Sequence, residues 1–133
     1  MRRKRISKTK KEKAFNIYNG RCAYCGCILS FDETEFDHST PVKAMQTDDD
    51  SLNKFRQDFI ESQYNIVPAC HDCNSVKNSK SSGEFKLYLE NKLMEDLNKN
   101  QLYRIAKKFG FVQELHMISD IEFYKDQIEY PED

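Results

Sequence analysis

The sequence predicts a small α+β domain: two short strands followed by a helix, tied at the base by cysteines, with helices on either side. Three observations carry this. Four of the five cysteines fall into two Cys-x-x-Cys pairs, Cys22/Cys25 and Cys70/Cys73. Short runs between the pairs have strand length and strand composition. Outside the pairs, residues 8–19 and 84–109 place apolar side chains at helical spacing.

Composition sets the frame. A chain of 133 residues with 38% hydrophobic content fits one domain with a modest core. No run of 18 apolar residues exists, so no transmembrane helix is expected. The basic start, MRRKRISKTKKEK, has no apolar stretch behind it, unlike a secretory signal. The expectation is a cytoplasmic, intracellular protein. The net charge of −1 hides an asymmetry. Residues 1–13 hold eight Lys/Arg against Glu12, while the other 120 hold 13 basic and 21 acidic groups. Broad electrostatic adhesion to a polyanion is therefore not supported. A basic arm, Arg2, Arg3, Lys4 and Arg5 foremost, is left either to lie along phosphates or to serve as a solubilising tail.

Taken in order, Lys8 to Asn19 reads as a helix with Ala14, Phe15, Ile17 and Tyr18 on its apolar side, ended by Gly20. The tight knuckle CAYCG follows. CILSF (27–31) and TEFDH (34–38) read as a hairpin turning at Asp32-Glu33, its second strand closed by Pro41. Asp48 to Ser51 is placed to cap a helix through about Ser62; the acidic run is also a conceivable metal site. The apolar run NIVP should pack on the hairpin, and His71 to about Ser79 should be a short helix. A helix over 84–97, one over 101–109 and a last one near 118–130 complete the chain. Leu87, Tyr88, Leu93, Leu97, Ile105, Phe109, Phe111 and Ile118 should form a helical cover.

Two Cys-x-x-Cys pairs suit a closed zinc site, because the spacing sets two sulfurs about 3.7 Å apart, the edge of a ZnS₄ tetrahedron with ~2.3 Å bonds. An odd cysteine in an intracellular chain also argues against a disulfide framework. Forty-four residues separate Cys25 from Cys70, so what lies between is a module clipped at its base by the metal. Cys27 and His71 are the substitutes if one ligand is misassigned. Within the module, Asp37-His38 ends a strand and Asn74 follows the last cysteine. Asp37 and Asn74 are hard oxygen donors suited to Mg²⁺ or Mn²⁺. Successive strand residues point to opposite faces, so the strand has to end or twist for Asp37 and His38 to serve one site.

The string D37-H38-x-x-P41, N65-I66-V67-P68-x-C70-x-x-C73-N74-x-x-K77, preceded by R21-C22-x-Y24-C25-G26, resembles the HNH endonuclease family with its ββα-metal fold. The variant it is similar to is the HNN one with an accessory four-cysteine zinc site. The nuclease module of RNA-guided CRISPR enzymes has a similar arrangement. The resemblance spans about residues 14–80. It implies a metal-dependent DNA endonuclease in which His38 is the general base, Asp37 and Asn74 hold the divalent ion, and Asn65 braces the loop bearing His38. It also implies that Lys77 sits near the DNA backbone. The domains expected on this basis are a basic arm (1–13), a nuclease core with structural zinc (14–82) and a helical extension packed on the same domain (83–133). That extension is suited to a protein partner or a homodimer. A non-catalytic zinc-ribbon adaptor is the alternative; it needs the cysteines but has no use for Asp37, His38 and Asn74 in register.

Overall fold

In a computed structural model, residues 5–40, 58, 65–112 and 121–128 are described. The supposed helix near 48–62, the acidic run Asp48 to Asp50, Pro41, Ile118 and the arm residues Arg2, Arg3 and Lys4 lie outside them. The architecture is α+β, with helices around a two-stranded antiparallel sheet. The chain divides into two compact units, the described residues of Met1–Ser81 with Glu122–Asp133, and Ser82–Ile121.

In the first unit, α1 (Lys8–Ile17) starts at Ser7, whose hydroxyl accepts the Lys10 N–H and satisfies a donor that helix geometry leaves open. It ends through Asn19 and Gly20, both at positive φ. Gly20 also lies under the Phe15 ring, and a Cβ there would come within 3.2 Å of it. Ala14 and Tyr18, one helical turn apart, are the buried stripe of α1.

The sheet pairs β1 (Glu35–His38) with β2 (Ile66–Ala69), Glu35 opposite Ala69 and His38 opposite Ile66. The hairpin expected over 27–31 and 34–38 is thus corrected: NIVP supplies the second strand instead of packing on one. Residues 27–31 are a limb of the cysteine knuckle, with Leu29 N–H donating to the Gly20 carbonyl and a single bridge from Arg21 to Ile28. Ile28 is 77% exposed, while Leu29 and Phe31 are half-buried. Phe31–Glu33 is a 3₁₀ turn whose Phe31 ring stands edge-on to Phe15. β2 is buried throughout, because its free side meets the knuckle, where Ala23 N–H donates to the Pro68 carbonyl. α2 (His71–Lys77) follows at once.

The segment near 118–130 was expected to be helical. Its described part holds only a 3₁₀ turn, Tyr124–Asp126. The physical reason lies in the hydrogen bonds: Tyr124 and Lys125 N–H groups donate to the Tyr24 and Ala23 carbonyls rather than along a helix. Phe123 is buried edge-on against Tyr24.

The second unit contains α3 (Ser82–Asn91), α4 (Leu93–Lys99) and α5 (Gln101–Lys108). One helix over 84–97 was expected; the chain loosens at Lys92, φ −119°, and makes two. Asn100 caps α5 by accepting the Tyr103 N–H. Leu87, Ile105, Phe109 and Phe111, expected as buried cover, are exposed. Among the described residues no helix is long and apolar enough to cross a membrane.

Candidate metal centre and active site

The knuckle after α1 and the start of α2 bring four thiols together. Cys22, Cys25, Cys70 and Cys73 place their Sγ atoms within 4.8 Å of one another, with Cys25 and Cys70 3.9 Å apart. That spacing fits the tetrahedral sulfur cage of a zinc ion. The local geometry follows from sequence. Gly26, at φ +79°, lets the chain fold back so that its N–H reaches the Cys22 carbonyl. Cys70 is the N-cap of α2, its sulfur accepting the Cys73 N–H at 3.4 Å. The Cys73 thiol, hydrogen-bonded to Cys22, holds the Cys22 pKa down to about 4 against the opposing effect of burial. The same contact pushes Cys73 well up. Crowded thiols that share protons in this way are where a dication takes the protons' place. Neither substitute belongs to the set: the clustered thiols are Cys22, Cys25, Cys70 and Cys73 without Cys27, and His71 turns to Glu35.

Beside this cage, β1 lies along α2. Alternation sends Glu35 and Asp37 to the same side, where they meet residues one helical turn apart. Glu35 Oε1 accepts the Asn74 amide N–H at 2.6 Å, and Oε2 accepts the His71 Nδ1 proton at 2.7 Å. These two donors, Asn74 first, hold the Glu35 carboxyl below the usual glutamate range. Asp37 Oδ2 accepts the Tyr24 hydroxyl at 2.7 Å and lies 2.8 Å from Lys77 Nζ. Lys77 also donates to the His38 carbonyl at 3.1 Å and lies 6.0 Å from the centre of the Tyr24 ring.

The expected placement of Lys77 at the DNA backbone is therefore corrected. Its side chain is fully buried, and its charge answers Asp37. A desolvated ammonium holds this position because a carboxylate and a carbonyl replace its water. His38 is buried too, 2% exposed, with its Nε2 inside the fold. Asn65, also buried, accepts the Thr40 N–H at 2.7 Å through its side-chain oxygen and donates to the Thr40 carbonyl at 3.1 Å. Its own carbonyl accepts the Ser39 N–H. The two residues after His38 are thus fastened to the residue before β2.

Glu35 was missed by sequence reasoning. The available signal was its Glu-x-Asp spacing, which puts it on the Asp37 face of the strand. Arg5 is exposed and lines an open groove with Ile6, Lys11, Thr34, Glu35, Phe36 and Asn74.

The chain matches no family model. Over 80 residues it is 29% identical to the CRISPR-associated endonuclease Cas9 of Corynebacterium diphtheriae, a match covering 60% of this chain and 6% of Cas9. Among solved structures it is similar to the type II-C Cas9 enzyme from Actinomyces naeslundii, at 17% identity and a TM-score of 0.44, covering 80% of this chain and 12% of that one. The chain thus spans a small fraction of the length of the proteins it matches, and in sequence it is similar to part of a nuclease.

Proposed function

We propose that this chain carries a metal-dependent nuclease centre that hydrolyses phosphodiester bonds of DNA, with His38 as general base and one divalent ion held by Asp37 and Asn74. The observation that carries the reading is the grip of Lys77. One buried ammonium holds the Asp37 carboxylate and the His38 carbonyl from the helix that also bears Asn74. A zinc-ribbon adaptor needs the cysteines and has no use for Asp37, His38 and Asn74 in register. The similarity to a protein named an endonuclease supports the same class.

The donor set fits a hard cation. Both contacts of Asp37 go to Oδ2, which leaves Oδ1. Asn74 spends its amide N–H on Glu35, which leaves its carbonyl oxygen. Oxygen donors of this number suit Mg²⁺ or Mn²⁺ completed by water. When bound, the ion supplies counter-charge for the non-bridging and leaving oxygens. His38 takes a proton from the attacking water as the new P–O bond forms; the P–O3′ bond breaks, leaving a 5′-phosphate and a 3′-hydroxyl protonated from solvent. A neutral imidazole is suited to that transfer near pH 7. Asn65 keeps the Ser39-Thr40 turn, and with it the ring, in one place. The reading requires His38 to be uncovered as the strand arrives. Arg2, Arg3, Lys4 and Arg5 are assigned to backbone phosphates, and Lys77 is not. The four cysteines are assigned to structural zinc. The exposed Leu102, Ile105, Phe109 and Phe111 suit the C-terminal helices to a protein partner or a second copy.

Incubation of the zinc-loaded chain with supercoiled plasmid and Mg²⁺ or Mn²⁺ tests the reading. Nicking by wild type and a loss of at least about 10²-fold in His38→Ala are expected. Equal nicking by both counts against the mechanism. The burial of His38 favours one second reading, a non-catalytic zinc adaptor, which is indicated if both proteins bind DNA and neither cuts.

A further inference from the structure

We propose that the groove between the start of α1 and the β1 edge binds the phosphate backbone of the nucleic-acid strand, with Arg5 and Lys11 as its two phosphate contacts. The inference rests on the nuclease reading and gives the strand a track toward Asn74. The groove encloses about 490 Å³ and is lined by Arg5, Ile6, Lys11, Thr34, Glu35, Phe36 and Asn74. It is open and mostly polar, the form for an extended charged chain rather than a small apolar ligand.

Its charge is arranged for an anion. Arg5 is exposed, and neither Arg5 nor Lys11 makes an ion pair among the described residues, whereas neighbouring Lys8 is paired with Glu12. Lys11 Nζ sits 5.7 Å from the centre of the Phe36 ring, which holds the ammonium over the groove floor without neutralising it. Arg5 and Ile6 lead into the N-terminal end of the ten-residue α1, whose dipole adds positive potential. The one carboxylate in the groove, Glu35, stays ionised with both oxygens engaged by Asn74 and His71, so two cations face one anion there. Asn74 itself is the groove wall nearest the proposed chemistry, so a phosphate on Arg5 and Lys11 belongs to the strand that reaches the hard-cation donors. Lys11 has no role in the motif-based assignment; the fold brings it there.

The test uses the full zinc-loaded chain and a fluorescein-labelled duplex, with binding followed by anisotropy across a KCl series without added divalent ion. Arg5→Gln/Lys11→Gln should flatten the slope of log K against log [KCl] by about 1.8, two phosphate contacts' worth. Lys86→Gln/Lys108→Gln, the same charge change in the second unit, should leave the slope alone. Equal slopes for wild type and the groove variant would overturn the proposal. So would displacement of the duplex by inorganic phosphate at matched ionic strength, which would make a free anion the ligand. Plasmid cleavage run in parallel separates the two claims. Wild type that binds through the groove but never cuts removes the hydrolytic reading alone. A groove variant that cuts with unchanged KM and slope removes the groove alone.

Discussion

At residue scale, the centre depends on a buried ion pair. Lys77→Met leaves Asp37 buried and uncompensated, and a loss of about 3–5 kcal/mol is expected in urea denaturation. Replacing both partners with apolar residues, Asp37→Leu/Lys77→Met, should restore much of that stability while leaving the protein unable to cut. Asn65→Ala removes two bonds and strands the Thr40 N–H and carbonyl, at a cost of about 1–3 kcal/mol, read as a lowered Tm. The proposed roles of Asp37, His38, Asn65 and Asn74 come from a motif in which each stands at a fixed distance from a cysteine or proline, and the structure adds their burial and partners. Lys77 was misread. A lysine on a short helix is exposed by default, and only the closure of Tyr24 and Asp37 around it makes burial tolerable. Glu35 was passed over because a strand carboxylate reads as a solvent-facing residue until α2 is laid beside it.

At element scale, the thiol cluster and the sheet share β2 and the start of α2, which follow one another in the chain. β1 and β2 are joined by the long connection of residues 39–65, and the cysteine cage brings the start of α2 to the knuckle. Chelation of the metal, or Cys73→Ser, should therefore raise amide exchange across residues 66–77, while α3 to α5 in the second unit keep their protection. Gly26→Ala forces a Cβ into a left-handed backbone at φ +79° and should destabilise the knuckle by about 1–2 kcal/mol in the same assay. The first helix and the break near Asn100 were readable from sequence because the left-handed Gly20 and the Asn98–Asn100 run mark helix ends locally, whereas the split at Lys92 has no such sign. The strand pairing was not. A four-residue strand buried on both sides lacks the alternation that identifies an amphipathic strand, and its partner lies beyond any turn signal. The same holds for residues 121–128, which dock as an irregular segment because the knuckle's carbonyls accept their N–H groups.

At the scale of the whole molecule, the thiol cluster and the residues of the proposed centre belong to one unit, and charge is uneven along the chain, with eight of the first 13 residues basic. Residues 84–133 carry 11 acidic and 7 basic groups, the opposite balance to the basic arm. The α+β class and the gathering of the four paired cysteines could be read from the chain alone. The division into units could not, because Phe123 and Tyr124 return to Tyr24, and Lys125 to Ala23, across about a hundred residues of sequence without a local sign of it. The account turns on His38 accepting the proton of the attacking water. The most direct test is chemical rescue: cleavage of a labelled duplex by His38→Gly, with and without added imidazole. Loss of activity restored in proportion to neutral imidazole is predicted. Full activity in the variant without imidazole would contradict the account.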